Sequence, residues 1–261
     1  MPPPRAWLFD LDGTLLRGRR PLAGAGSLLE ALSREGAVLG VLTNNSALPR
    51  SDHALRLRRL GLPVGEEAIF TSGRFAALEL ARLYPQARWY LLGTPALAAE
   101  LGALGLRLSE EEPDGVLVGF DTTLSYARLA RACRLLEGGV LFFATHPDPA
   151  CPEEGGLLPD AGALLALLER ATGRRPEGVF GKPNPAFLAH ALGELGLEPE
   201  ACLYVGDRLE VDVPFALEAG VRAALVLTGA TRPEDPRIRE VQAQGVLVVR
   251  DLGELKEHLW P

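Results

Sequence analysis

At 261 residues and 27.9 kDa the chain is long enough for one large domain or two smaller ones with a sizeable core. Hydrophobic residues at 47% against 23% charged exclude disorder, and 29 Gly with 21 Pro follow no period that would mark collagen or a low-complexity array. A net charge of −7 and a pI near 5.3 argue against a chain that lives on nucleic acid or an anionic membrane, so any anionic ligand must meet a local positive site.

The N-terminal part alternates short apolar runs with helical patterns: a strand over 6–9, a helix over 22–35 closed by Gly36, a strand over 37–42 and a helix over 52–60 closed by Gly61. That βαβα rhythm implies a parallel sheet. The middle reads as strands at 88–92, 115–118 and 140–144, with helices at 95–104, 126–136 and 162–172. The rhythm then returns as a helix over 185–195, a strand over 201–205, a helix over 214–219 ending at Gly220, strands over 223–227 and 245–249, and a last helix from Gly253. Residues 1–72 and 178–261 are therefore expected to form one doubly wound α/β domain, with 73–177 inserted as a smaller α/β unit, because the motifs below sit only in the outer parts. One continuous sheet of eight or more strands is the alternative that periodicity leaves open.

The start MPPPRAWLFD has no basic stretch followed by an apolar one, and no later apolar run nears the ~18 residues of a membrane span, so a cytoplasmic protein is expected. Cys133, Cys151 and Cys202 are odd in number and far apart, which indicates neither a disulfide framework nor a zinc site. Lys182 and Lys256 are the only lysines, and Asn44, Asn45 and Asn184 the only asparagines. Such a bias resembles that of heat-adapted, thermostable proteins, and GC-rich coding would leave the same mark. Against this background a retained Lys or Asn points to a chemical need, Lys256 in a polar C-terminal helix excepted.

Phe9-Asp10-Leu11-Asp12-Gly13-Thr14 puts two carboxylates two residues apart directly after a strand, on one side in extended geometry. Gly13 opens a turn at the carboxyl end of the sheet. Its place as fourth residue, after a strand, does not fit an EF-hand loop. Thr43-Asn44-Asn45-Ser46 ends the next strand with a hydroxyl and successive amides, the chemistry of an oxyanion cradle. Gly181-Lys182-Pro183-Asn184-Pro185 sets a rare amine just before a helix that Asn184 can cap. Asp207 ends a further strand, and Asp212 follows five residues later at a helix start, where its charge also suits the helix dipole. Dinucleotide binding is weak, because Gly24-Ala25-Gly26 lacks the third glycine and does not follow the first strand. A P-loop is weaker, since Pro183 follows Gly181-Lys182.

In these four ordered motifs the sequence resembles the haloacid dehalogenase superfamily of phosphohydrolases: DLDGT at Asp10 to Thr14, a strand ending in Thr43, the lysine of GKP at Lys182, and GDxxxxD at Asp207 to Asp212. TNNS, ATHPD, TGRRPEGVFGKPNP and VGDRLEVD are similar to the NagD or 4-nitrophenylphosphatase-like branch, which carries a large α/β cap between the second and third motifs. The resemblance implies a Rossmann-like core with an inserted cap, and Mg²⁺-dependent hydrolysis of small phosphate monoesters through an aspartyl-phosphate. In that scheme Asp10 is the nucleophile, Asp12 the general acid and base, and Thr43, Asn44 and Lys182 hold the phosphoryl oxygens. The Asp10 and Asp207 carboxylates and the Asp12 carbonyl would hold Mg²⁺, an oxygen-only set, with Asp212 orienting a metal-bound water. Four carboxylates in one cleft repel by roughly 4 kcal/mol per pair at ~4 Å and an effective dielectric of ~20, so cationic compensation is required.

Substrate choice is expected in Asn45 and in the loop Thr145-His146-Pro147-Asp148-Pro149, with His146 and Asp148 held toward the leaving group; many relatives carry Asn or Asp where His146 stands. The expected partner is a small phosphorylated metabolite: a sugar phosphate, nucleoside monophosphate, pyridoxal phosphate, phosphoglycolate or aryl phosphate. No nucleic acid or membrane partner is expected, and a homodimer stays open. The competing reading, a phospho-accepting signalling module, has no use for an acid two residues beyond the phosphorylated one. Asp12 therefore discriminates against it.

Overall fold

The computed structural model describes residues 4–153 and 155–259. Its strands sort into two parallel sheets and two small antiparallel hairpins, which removes the single continuous sheet as an alternative. The first sheet has six parallel strands in the spatial order β15 (Leu247–Val249), β14 (Arg222–Val226), β13 (Cys202–Gly206), β1 (Ala6–Asp10), β4 (Val38–Thr43) and β5 (Ile69–Thr71). Its central strands are apolar without alternation because both faces are covered. Ala6, Leu8, Cys202 and Tyr204 face one hydrophobic cluster, while Trp7, Phe9, Leu203 and Val205 face another. The second of these clusters is closed by α1 (Ala25–Arg34), α2 (Arg50–Arg59) and α10 (Leu252–Leu259), through Leu28, Leu57 and Leu255 among others. The first is closed by α7 (Pro185–Leu195), α8 (Asp212–Glu218) and α9 (Ile238–Ala243), through Phe187, Phe215 and Ile238.

The second sheet runs β12 (Gly178–Val179), β9 (Leu141–Ala144), β8 (Gly115–Val118), β6 (Arg88–Leu92), β7 (Arg107–Leu108). One face packs on α5 (Tyr126–Glu137) and α6 (Ala161–Thr172). The other, with Trp89, Leu91, Leu117 and Phe143, joins the first cluster of the larger sheet through α3 (Ser72–Leu83) and α4 (Pro95–Ala103). Phe75 of α3 makes that junction, stacking at 5.4 Å on Phe187 and meeting Phe180 edge-on at 6.1 Å. The cap is thus fused to the core by shared apolar packing. Two hairpins, β2 (Leu16–Arg17) with β3 (Arg20–Pro21) and β10 (Ala150–Glu153) with β11 (Gly156–Pro159), complete the fold.

Several boundaries differ from those read in the sequence. Gly178–Val179 hydrogen-bonds to β9 of the smaller sheet, so a core segment beginning at 178 starts too early. The boundary at 72/73 likewise falls inside the first turn of α3. Helix α8 begins at Asp212, two residues before the expected start, because Pro214 is tolerated in a first turn that needs no donor from it. Among the described residues no helix is long and apolar enough to cross a membrane.

Candidate active site

Adjacent strands β13, β1 and β4 end side by side, and the sheet order turns back on itself at β1, where open α/β sheets leave a crevice for ligands. Asp10, Thr43 and Asp207 sit at those three ends, each at most 5% exposed. A positive φ of 105° at Gly13 swings the chain past Asp207, where an added Cβ would stand 2.5 Å from a carboxylate oxygen. Gly206 meets Asp212 in the same way, its Cβ falling 2.4 Å from that side chain. Glycine at these two positions is what lets the acids approach one another. One ligand oxygen from each of Asp10, Asp207 and Asp212 lies within 4.8 Å of the others.

Lys182, just before α7, supplies the buried cation. Its Nζ donates to Asp10 Oδ1 at 2.5 Å, Asp212 Oδ1 at 2.9 Å and the Tyr204 hydroxyl at 3.1 Å, which satisfies all three ammonium protons. Burial alone would depress the lysine, yet Asp10 and Asp212 hold it well above its usual range. Burial pushes Asp10 well above the ordinary carboxylate range; Lys182 opposes this, and Asp212 and Asp207 add to it. Burial and then Asp212 raise Asp207 to about 6. Three acids sharing one ammonium leave the cluster short of positive charge.

The acids are partnered differently. Asp212 uses both oxygens, Oδ1 accepting from Lys182 and Tyr204 and Oδ2 from the Arg208 backbone at 3.0 Å. Asp207 Oδ2 accepts from the Ala230 N–H at 2.6 Å. Asp10 Oδ2, by contrast, is buried with no hydrogen-bond partner. An oxygen-only donor set with one orphaned carboxylate oxygen fits a hard divalent cation.

Asp10, Lys182 and Asp207 line a cavity of about 920 Å³ together with Asp12, Asn45 and Asp148, while Asp212 and Tyr204 stand behind them, off its wall. Its walls include Cys151, Pro152 and Leu157 of the β10–β11 hairpin and Arg17 and Arg20 of the β2–β3 hairpin. The Asp12 side chain is 20% exposed, with Arg56 Nη2 at 3.8 Å from Oδ1. Burial raises its carboxyl, while Arg56, Lys182 and a hydrogen bond from Asn45 draw it back. Asn45 therefore stands beside Asp12 as well as on the cavity wall. Thr43 Oγ1 accepts the Asn45 N–H at 3.0 Å, which leaves its own proton to donate.

The Asn44 side chain is spoken for. Its Oδ1 accepts the Lys182 N–H at 2.9 Å, and its Nδ2 donates to the Lys182 carbonyl and to Asp148 Oδ2, both at 3.1 Å. It clamps Lys182 and leaves only its backbone N–H to meet an oxyanion. Asp148 takes a further bond from Arg208 Nη1 at 2.7 Å, which joins the cap to the loop after β13. Despite its burial, Arg208, His146 and Asn44 keep the Asp148 carboxyl below its usual range.

His146 does not face the leaving group, contrary to expectation. It is fully buried and absent from the cavity wall. Its Nε2 lies 2.9 Å from Asp160 Oδ1, which places the proton there, and Nδ1 lies 2.8 Å from Thr145 Oγ1. Asp160 in turn caps α6. The histidine is a packed tie within the cap, so its assignment to substrate choice is corrected. Sequence reading also missed Tyr204, Arg208 and Arg56. Only Tyr204 carries a signal, as a phenol in a strand that needs nothing but apolar side chains.

His53 on α2 is fully buried, with Nε2 3.2 Å from the Asn45 carbonyl and Nδ1 unpartnered. Burial depresses its pKa from 6.5 to about 4. As pH falls below 6.5 the unfolded chain takes up a proton that the folded one refuses, so stability present above that pH is lost toward pH 4. Denaturant unfolding at pH 7.5 and 4.5 should show His53→Gln losing about 2–3 kcal/mol less than the parent over this interval. Equal losses in the two proteins would contradict the assignment.

The haloacid dehalogenase-like hydrolase profile matches residues 7–107, and a second HAD-hydrolase-like profile matches 179–255. Dihydroxyacetone phosphatase of Corynebacterium glutamicum is 32% identical, over 97% of this chain and 90% of its own length. The crystal structure of a 4-nitrophenylphosphatase from Thermotoga maritima superposes with a TM-score of 0.89 at 39% identity, covering 97% of this chain and 96% of that one. That of a Mycobacterium tuberculosis glycerol phosphate phosphatase in complex with magnesium gives 0.83 at 36% identity, covering 95% and 76%. With its motif residues gathered at the strand ends and similarity running over nearly its full length, the chain belongs to the haloacid dehalogenase-like hydrolase family.

Proposed function

We propose that the protein is a Mg²⁺-dependent phosphatase that hydrolyses small phosphate monoesters through an aspartyl-phosphate on Asp10. The observation that carries this is Asp10 itself: one oxygen is held by Lys182, and the other is buried and unpartnered at a cavity floor that Asp12 also lines. The relatives that act on dihydroxyacetone phosphate, glycerol phosphate and 4-nitrophenyl phosphate support the class of substrate.

The Asp10 carboxylate attacks phosphorus in line with the ester oxygen; the P–O ester bond breaks and Asp12 gives the departing alkoxide a proton. Asp12, now a carboxylate, takes a proton from the water that attacks phosphorus next. The Asp10–phosphorus bond breaks, and inorganic phosphate leaves. Throughout, the Thr43 hydroxyl and the Asn44 backbone N–H hold the phosphoryl oxygens, joined by the Lys182 ammonium, which turns toward them the proton it otherwise gives the Tyr204 hydroxyl at 3.1 Å. Asp10 and Asp207, with the Asp12 carbonyl, would hold Mg²⁺, and Asp212, whose oxygens are both engaged, would act from behind them. When bound, the cation supplies the positive charge that the acid cluster lacks and that the phosphate requires.

A panel of alkyl, sugar, nucleoside and aryl phosphates assayed with and without Mg²⁺ tests the assignment. Hydrolysis of 4-nitrophenyl phosphate and at least one alkyl ester is expected with the metal and should vanish in excess chelator. No turnover on any ester with Mg²⁺, or unchanged turnover in chelator, overturns the reading.

A further inference from the structure

We propose that Arg56 is a positioning residue for Asp12, fixing from outside the cavity the carboxyl group that protonates the leaving alkoxide. The proposal rests on the phosphatase reading above. Arg56 lies in the last turn of α2, where basic side chains suit the helix dipole and ordinarily stay in solvent. This one turns inward. Its Nη2 donates to the Gly18 carbonyl in the turn between β2 and β3 and stands 3.8 Å from Asp12 Oδ1, and the side chain is 24% exposed. Arg56 is absent from the cavity wall, whereas Asp12 and Gly18 are both on it. The guanidinium therefore braces Asp12 from behind and ties it to the hairpin that forms one lip of the cavity.

Asp12 needs such a brace. It follows the last residue of β1 by two positions, just ahead of the positive-φ Gly13, and its partly exposed side chain is free of the ladder that holds Asp10. A carboxyl group that must reach a leaving oxygen within hydrogen-bond distance loses much of its effect when its rotamer drifts. Both contacts leave one nitrogen, Nη2, as a hydrogen bond to the carbonyl and an ion pair with the carboxylate, and the rigid planar guanidinium holds that nitrogen in place; a lysine ammonium is a point charge on a flexible stem.

The leaving group decides the test. An alkyl ester must have its oxygen protonated, whereas 4-nitrophenolate departs as a stable anion. kcat/KM covers only the steps up to transfer onto Asp10, so later hydrolysis does not blur the comparison. In Arg56→Met, kcat/KM for the alkyl ester is expected to fall about 10-fold or more beyond any fall for 4-nitrophenyl phosphate, since general acid catalysis is worth ~10²–10⁴-fold when intact. Arg56→Lys should give an intermediate ratio, and it keeps the comparison available if the methionine variant does not fold. Equal falls for both esters, or no fall, overturn the positioning role while the parent protein remains an active phosphatase. Loss of all turnover in the parent itself would instead overturn the underlying reading, and this one with it.

Discussion

Asp10→Asn is expected to lower kcat on 4-nitrophenyl phosphate by at least ~10⁴-fold while the protein stays folded, because an amide offers neither the nucleophilic oxygen nor the charge that phosphoryl transfer uses. The fold should survive. Asp10 ends a strand whose other side chains are all apolar and buried, so the sheet register with β13 and β4 does not depend on the carboxylate. Lys182 keeps Asp212 and Tyr204 as partners, and removing one of three neighbouring negative charges relieves repulsion that burial makes costly. The measurement pairs single-turnover assays with denaturant unfolding of the same preparation. Turnover within 10-fold of the parent in a folded variant would remove Asp10 from the chemistry.

The strand-end motifs were legible in the sequence for a physical reason. A parallel strand buried on both faces reads as an unbroken apolar run, and a polar residue placed at its end interrupts that run at a defined point. Asp10, Thr43 and Asp207 each mark such an end, and the structure makes Asp10 and Thr43 the last residues of β1 and β4 and sets Asp207 directly after β13, three neighbouring strands. What escaped were elements too short or too irregular to show a period. β5 has three residues and passes directly into α3, whose opening Ser72-Gly73-Arg74 gives no apolar period to mark where the strand ends and the helix begins. The β10–β11 hairpin contains Pro152 and Pro159, residues that argue against a strand unless it lies at an edge, which is where these two lie.

His146 shows a different limit. A histidine between Thr145 and Pro147 reads as a surface turn, and only the return of the chain at Asp160 and Ser72 makes its burial affordable. Partners 14 and 74 positions away leave no local trace. The same holds for Arg208 and Asp148, 60 positions apart, whose contact joins core and cap beside Asn44. Local pattern therefore finds the ends of strands, and the ties that lock those ends together come from chain segments brought near only by folding.

Lys182→Arg is expected to lose roughly 10²-fold or more in kcat, the scale seen when one oxyanion donor is removed, even though the charge is kept. The ammonium fits its place because three donors leave one atom toward three separate acceptors, at 2.5, 2.9 and 3.1 Å. A guanidinium spreads its donors over a plane, is bulkier, and would have to enter a site where Lys182 is 1% exposed and hemmed in by the Tyr204 ring, 5.8 Å from its nitrogen. Overpacking of this kind costs about 1–3 kcal/mol in stability, so the assay belongs well below the unfolding midpoint of the variant. Lys182→Met separates charge from shape: it fills similar space but leaves Asp10, Asp207 and Asp212 without their buried cation, a loss of about 3–5 kcal/mol. Added Mg²⁺ should raise the unfolding midpoint of the methionine variant more than that of the parent, because there the metal takes over the neutralisation that the buried lysine supplied. If Lys182→Arg turned over within about 3-fold of the parent while folded, the lysine would be serving as a charge alone and the phosphoryl-holding role assigned to it would be wrong.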